Sequence, residues 1–251
     1  MVAAKFETRA IILRTAAYGE ADRVVTMLGA SMGRASALAR GARKSAKRFA
    51  GGLGMAQEGR AILRERPGAE LLVLEEFDVE QVHEGLAGDL GKTAHAAYAL
   101  ELCERLCPPR QPEEPVLAWL SEFLMLLERG RARAERLRVF EIGLLRRLGL
   151  GPVLDRCAVC SRGDLGTGNV RWHPDGGGVV CPDCLHRGDI MSGSTRRALV
   201  DLADMSLADA ESMALDRETN AGCRHALLGL LRSHVSGPLR SLEFIEKMGA
   251  G

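Results

Sequence analysis

Short apolar and β-branched runs separated by turn residues fill roughly the first 80 positions, and apolar residues then recur every third or fourth residue, so the chain carries two structural regimes. Five short extended segments are expected first: Phe6–Leu13, Arg23–Leu28, Arg34–Ala39, Gly59–Arg64 and Leu71–Val79. Turn residues separate them, at Tyr18-Gly19-Glu20, Ser31-Met32-Gly33 and Arg66-Pro67-Gly68-Ala69. Five strands with no long helix among them predict a small closed barrel, and the five-stranded OB-fold is the commonest such case. An SH3-like barrel is the structural alternative.

Helical spacing begins at Leu86, Leu90 and Ala94 and must end at the Pro108-Pro109 pair. Two further helices follow, Val116–Leu127 and Leu137–Leu148, the latter closed by Gly149 and Gly151-Pro152. The pattern returns at Thr195–Leu202, Arg224–His234 and Leu239–Ile245. Residues 155–188 fit neither period and hold seven glycines between Gly163 and Gly188. The predicted class is α+β. An OB-fold barrel occupies residues 1–80, and a helical domain occupies 81–251 with a glycine-rich insert at 155–188.

The chain has 251 residues, 27% of them charged and 46% hydrophobic, which is an ordinary globular balance. Its longest charge-free run, Val24–Gly33, is half of what a membrane helix needs. The N-terminus meets Lys5 and Glu7 before any apolar core, so no secretory signal is expected and the cytoplasm is the default compartment. Net charge is only +1, yet Arg23 to Gln57 contains seven basic residues and no acid.

Four of the seven cysteines form the sharpest motif. Cys157-x-x-Cys160 and Cys181-x-x-Cys184 offer two thiolate pairs at the bite of a tetrahedral zinc shell. Four protein ligands leave no position for a catalytic water, so one structural Zn²⁺ is expected. Paired disulfides are disfavoured by compartment, and a redox Cys-x-x-Cys would need only one pair. Cys103, Cys107 and Cys223 sit in helical segments beside leucines and read as core thiols.

The densest basic stretch, Arg40 to Gly52, reads as a phosphate-binding loop. It has no compensating acid, carries glycines at both ends, and lies between strands of the expected barrel. Arg34, Arg40, Arg43, Lys44, Lys47 and Arg48 are the candidate DNA contacts. Phe49 is the segment's only ring, so recognition of the backbone is expected over base edges.

The phrase Ala39–Leu53 resembles the signature loop of the bacterial RecO recombination mediators. Four more segments are similar to that family in the same order: Thr8–Arg14 with Tyr18–Asp22, the helix Leu137–Gly149, the second knuckle His173–Cys184, and Gly237–Phe244. The resemblance implies an N-terminal OB-fold, a zinc-interrupted helical domain and no enzymatic turnover. It also implies binding of single- and double-stranded DNA, annealing of complementary strands, and loading of recombinase with RecR. A further implied partner is the acidic C-terminal tail of single-strand binding protein, and the implied setting is the nucleoid.

Arg136 and Arg138, with Arg146 and Arg147, flank the apolar face of the helix 135–150, a candidate basic-rimmed groove for that tail. A zinc-dependent deaminase, the enzymatic rival, needs a His-x-Glu that the chain lacks. A zinc-ribbon transcription or translation factor needs a basic insert. Residues 155–187 instead balance four arginines against four aspartates. P-loop and Rossmann fingerprints are absent as well.

Overall fold

In the computed structural model the chain forms two units, Met1–Gly130 and Arg131–Gly251. The structure describes residues 4–45, 48–184 and 188–248, the side chains of 246–248 excepted.

The first unit opens with five strands, β1 (Lys5–Tyr18), β2 (Asp22–Gly29), β3 (Gly33–Ala39), β4 (Glu58–Arg64) and β5 (Leu72–Gln81). They close a barrel in the order β1-β2-β3-β5-β4. Every pairing is antiparallel except β3 with β5, which is the five-stranded OB-fold topology expected from the sequence. Closure depends on β1, which runs on past Leu13 to Tyr18. Its first half pairs with β4 and its second with β2, and an irregularity between Ile12 and Arg14 lets it bend from one partner to the other.

Ala10, Ile12, Val25, Met27, Ala37, Ala61, Leu63, Leu72 and Leu74 fill the barrel interior. The many alanines suit a bore too narrow for larger side chains everywhere. Burying each of the larger aliphatics stabilises the barrel by about 1.5–3 kcal/mol. Ile11 and Leu28, also buried, carry apolar surface that α1 (Leu90–Leu106) and α2 (Glu114–Arg129) help to cover, both packed against β1 and β2. Asp89 caps α1 by accepting from the Lys92 amide at 3.0 Å, so the helix starts at Leu90 instead of Leu86, and Glu84–Leu86 is a 3₁₀ turn.

The second unit is built around α3 (Ala134–Arg147), which α4 (Gly193–Asp204) and α5 (Arg217–His234) pack against. Every residue of α3 from Arg136 to Leu145 is buried, so it is a core helix covered all round. Asp216 accepts from the Thr219 amide at 2.9 Å and starts α5 two turns before the apolar pattern does. A short α6 (Arg240–Met248) follows.

The glycine-rich insert also has regular structure. Strands β6 (Val170–His173), β7 (Gly178–Val180) and β8 (Asp189–Met191) make an antiparallel sheet ordered β7-β6-β8. Gly178 is needed there because a Cβ would collide with the Val153 carbonyl, to which the Val179 amide donates at 2.9 Å. Among the described residues no helix is long and apolar enough to cross a membrane.

Candidate nucleic-acid interface and metal centre

The 40–57 connection between β3 and β4 is held at both ends. Phe49 and Leu53 insert into the barrel core, and the Phe77 amide donates to the Arg48 carbonyl at 3.1 Å. On the other side the loop is fastened to the β1–β2 turn by three hydrogen bonds. The Gly41 amide donates to Asp22 Oδ1 at 2.7 Å, the Arg43 amide to the Ala21 carbonyl at 3.1 Å, and Arg43 Nη1 to the Glu20 carbonyl at 3.2 Å. Gly41 has φ +62°, a conformation glycine adopts without steric cost.

This scaffold brings Arg40, Arg43, Lys44 and Arg48 to one exposed loop. Two of the four also organise it. Arg48 Nη2 donates to the Arg40 carbonyl at 2.8 Å and Nε to Ser45 Oγ at 3.2 Å, and its guanidinium lies 5.2 Å from the centre of the Phe49 ring. Arg40 and Lys44 have no side-chain hydrogen bond among the described residues, so both charges are free for an anion. Lys47 lies outside the described residues.

Arg34 does not join them. It opens β3, at the strand end opposite the loop, where Nε donates to the Cys107 carbonyl at 2.9 Å and its own carbonyl accepts from the Arg110 amide at 3.0 Å. Its partly buried side chain ties the barrel to the end of α1 through Nε, away from the loop that carries the other candidate contacts. Phe49 is 3% exposed and cannot reach a ligand.

In the second unit, Cys157, Cys160, Cys181 and Cys184 converge with all four sulfurs within 4.8 Å of one another. Tetrahedral Zn–S bonds of about 2.3 Å set sulfurs about 3.8 Å apart. Cys160 Sγ and Cys181 Sγ lie 3.8 Å apart. The donor set therefore fits zinc in both chemistry and span. Each knuckle is a tight turn: the Ser161 amide donates to the Cys157 carbonyl at 2.9 Å with Ser161 at φ +61°, and the Cys184 amide donates to the Cys181 carbonyl at 3.1 Å.

The protons on the four thiols are unequally held. Burial raises the Cys157 pKa, but the Cys160, Cys181 and Val159 amides outweigh it and hold the thiol at about 6. Hydrogen bonding to Cys181 and Cys160, together with burial, pushes Cys184 up to about 12. Four sulfurs this close cannot all ionise without a cation to compensate them. His173 is engaged elsewhere, its Nδ1 accepting from the Gly176 amide at 2.7 Å, while His186 lies outside the described residues.

The remaining cysteines are buried thiols. Burial pushes Cys223 up to about 12 and hydrogen bonding to Cys107 raises Cys103, which opposes thiolate chemistry at either.

The expected basic rim on α3 is corrected. Arg136 is buried, with Nε donating to the Leu207 carbonyl at 3.2 Å, Nη1 to the Arg131 carbonyl at 3.2 Å, and Nη2 paired with the Glu211 carboxylate. Arg138 pairs with Glu141 at 3.1 Å, the two side chains 2% and 0% exposed. A one-sided stripe of leucines suggested a surface helix. The second apolar set, Val139, Ile142 and Gly143, and the opposite charge one turn on at Glu141, were the signals of full burial. Sequence reading also passed over Tyr18, assigned only to a turn, which stands exposed on the hairpin that holds the basic loop.

Comparison with known proteins agrees with this architecture. The family model described as Recombination protein O N terminal matches residues 1–82, and that described as Recombination protein O C terminal matches residues 87–243. DNA repair protein RecO of Anaeromyxobacter sp. (strain Fw109-5) is 41% identical over 244 residues, covering 95% of this chain and 94% of that one. The proteins of that name from Symbiobacterium thermophilum and Myxococcus xanthus are 32% and 30% identical, each over 98% of both chains. Matched by both family models in order and by relatives along nearly its whole length, the chain belongs to the RecO family of DNA repair and recombination proteins.

Proposed function

We propose that this protein is a non-enzymatic mediator of DNA repair that binds strands by their phosphates and anneals complementary ones. The observation that carries the reading is the fastening of the β1–β2 turn to the 40–48 loop, which exposes Arg40, Arg43, Lys44 and Arg48, with no ion pair to Arg40 or Lys44 among the described residues. Two DNA backbones repel each other, and a fixed cluster of cations screens that repulsion while leaving base edges free to pair. Loading of recombinase with RecR, and engagement of the acidic tail of single-strand binding protein, belong to the same proposed role, in the cytoplasm at the nucleoid. The four cysteines would hold one Zn²⁺, which when bound cross-links the two knuckles of the insert around the small apolar cluster of Val180, Ala158 and Leu165.

Annealing of complementary oligonucleotides coated with single-strand binding protein tests the reading. Wild-type protein should accelerate duplex formation, and a variant with Arg40 and Lys44 changed to Gln should do so less. Acceleration that is absent, or equal in the two proteins, contradicts it.

A further inference from the structure

We infer that Tyr18 is a base-stacking residue that captures single-stranded DNA beside the basic loop, an inference that rests on the proposed assignment of that loop to DNA. The chain has ten aromatic residues, and among the described ones only Tyr18 and Phe244 are exposed large rings. Tyr18 is 57% exposed and is the single such ring of the first unit among the described residues.

Its position ties it to the phosphate site. Tyr18 ends β1 and is paired across the hairpin with Asp22, whose carboxylate accepts from the Gly41 amide at 2.7 Å. Glu20 and Ala21, between them, supply the two carbonyls that hold Arg43. The turn that carries the ring is thus the one that fixes the cations. Gly19, at φ +61°, makes the tight turn that follows the ring.

A flat amphipathic ring beside backbone-binding cations is the arrangement that single-strand binders use: cations follow the phosphates and the ring takes the face of one base. A duplex has its base faces already stacked and gains nothing from the ring. Tyr18 therefore favours single strands while the loop holds either form.

The experiment compares wild type, Tyr18→Ala, Tyr18→Phe and the Arg40→Gln/Lys44→Gln double variant by anisotropy of a labelled oligo-dT and of a labelled hairpin duplex. Tyr18→Ala should lose about 5- to 150-fold on oligo-dT. Its duplex affinity and its salt slope should stay at wild-type values, and Tyr18→Phe should bind oligo-dT like wild type. Unchanged oligo-dT affinity in Tyr18→Ala overturns the stacking role, as does an equal loss on single strand and duplex, which would mean that Tyr18 only shapes the loop. If the double variant weakens binding while Tyr18→Ala does not, stacking alone is wrong. If the double variant binds like wild type, the loop assignment has failed and the inference with it.

Discussion

Asp22 Oδ1 accepts the Gly41 amide at 2.7 Å, so a carboxylate organises the most basic loop of the chain. Coulomb's law and loop order then give opposite signs for Asp22→Ala. Removing a negative charge near the cations should strengthen DNA binding, whereas losing the anchor, worth about 1 kcal/mol, should weaken it. The expected outcome is weaker binding with an unchanged fold, read by anisotropy on a labelled oligonucleotide. A gain in affinity would show that Asp22 acts only as a counter-charge.

His83 links three parts of the first unit. Its ring is 2% exposed, with Nε2 2.8 Å from Glu58 Oε1 and Nδ1 3.0 Å from Glu128 Oε2, on β4 and α2. Burial opposes the imidazolium, but the two carboxylates outweigh it and raise the pKa above 6.5. A raised folded-state pKa means that the stabilisation is complete below the unfolded value of about 6.5 and is lost as pH climbs through the folded one. His83→Gln should therefore lower the melting temperature most in mildly acidic buffer, and the gap to wild type should narrow in alkaline buffer. A gap independent of pH would mean that the ring is neutral and serves only as a hydrogen-bonding spacer.

Metal binding at the four cysteines should release protons. The Cys184 thiol, at about 12, is protonated at neutral pH and must ionise to bind, whereas Cys157, at about 6, is already largely thiolate. Zinc affinity measured by chelator competition should rise with pH, and elemental analysis should find one zinc per chain. Cys181→Ser should lose the metal and unfold more readily, because the two knuckles that carry the cysteines share only a small apolar cluster, Val180 with Ala158 and Leu165. A metal-free protein of undiminished stability contradicts the site.

The Arg138–Glu141 pair predicts a stability defect. Glu141→Gln leaves a buried guanidinium without its carboxylate and should cost about 3–5 kcal/mol, read as a shift in denaturant midpoint. Arg138→Met, which removes a charge and keeps the stem, should cost less than Arg138→Glu. Arg138→Glu should weaken an acidic tail peptide only as far as it unfolds the second unit. Selective loss of the peptide by a well-folded Arg138→Glu variant would return this helix to the partner surface.

How much of this was legible varies by element. The five strands could be read because short apolar runs such as Leu71–Leu74 are bounded by turn residues, and the fold class and the four-cysteine cluster followed from pattern and spacing. The second half of β1 could not, since Arg14-Thr15-Ala16-Ala17 carries no apolar stripe and is extended only because β2 pairs with it. The strands of the insert, three or four residues each, are too short for a period, and the buried face of α3 depends on what packs around it. Arg34 shows the same limit: charge is visible in sequence, but the carbonyl that takes it up belongs to Cys107, 73 residues away.

The salt dependence of single-strand binding tests most directly whether the 40–48 loop holds phosphates. Five contacts, from Arg40, Arg43, Lys44, Lys47 and Arg48, give an expected log-log slope of about −3.5. Changing Arg40 and Lys44 to Gln, the two side chains with no hydrogen bond among the described residues, should reduce it to about −2.1 and weaken all sequences alike. A double variant with the affinity and slope of the wild type would place the DNA site elsewhere.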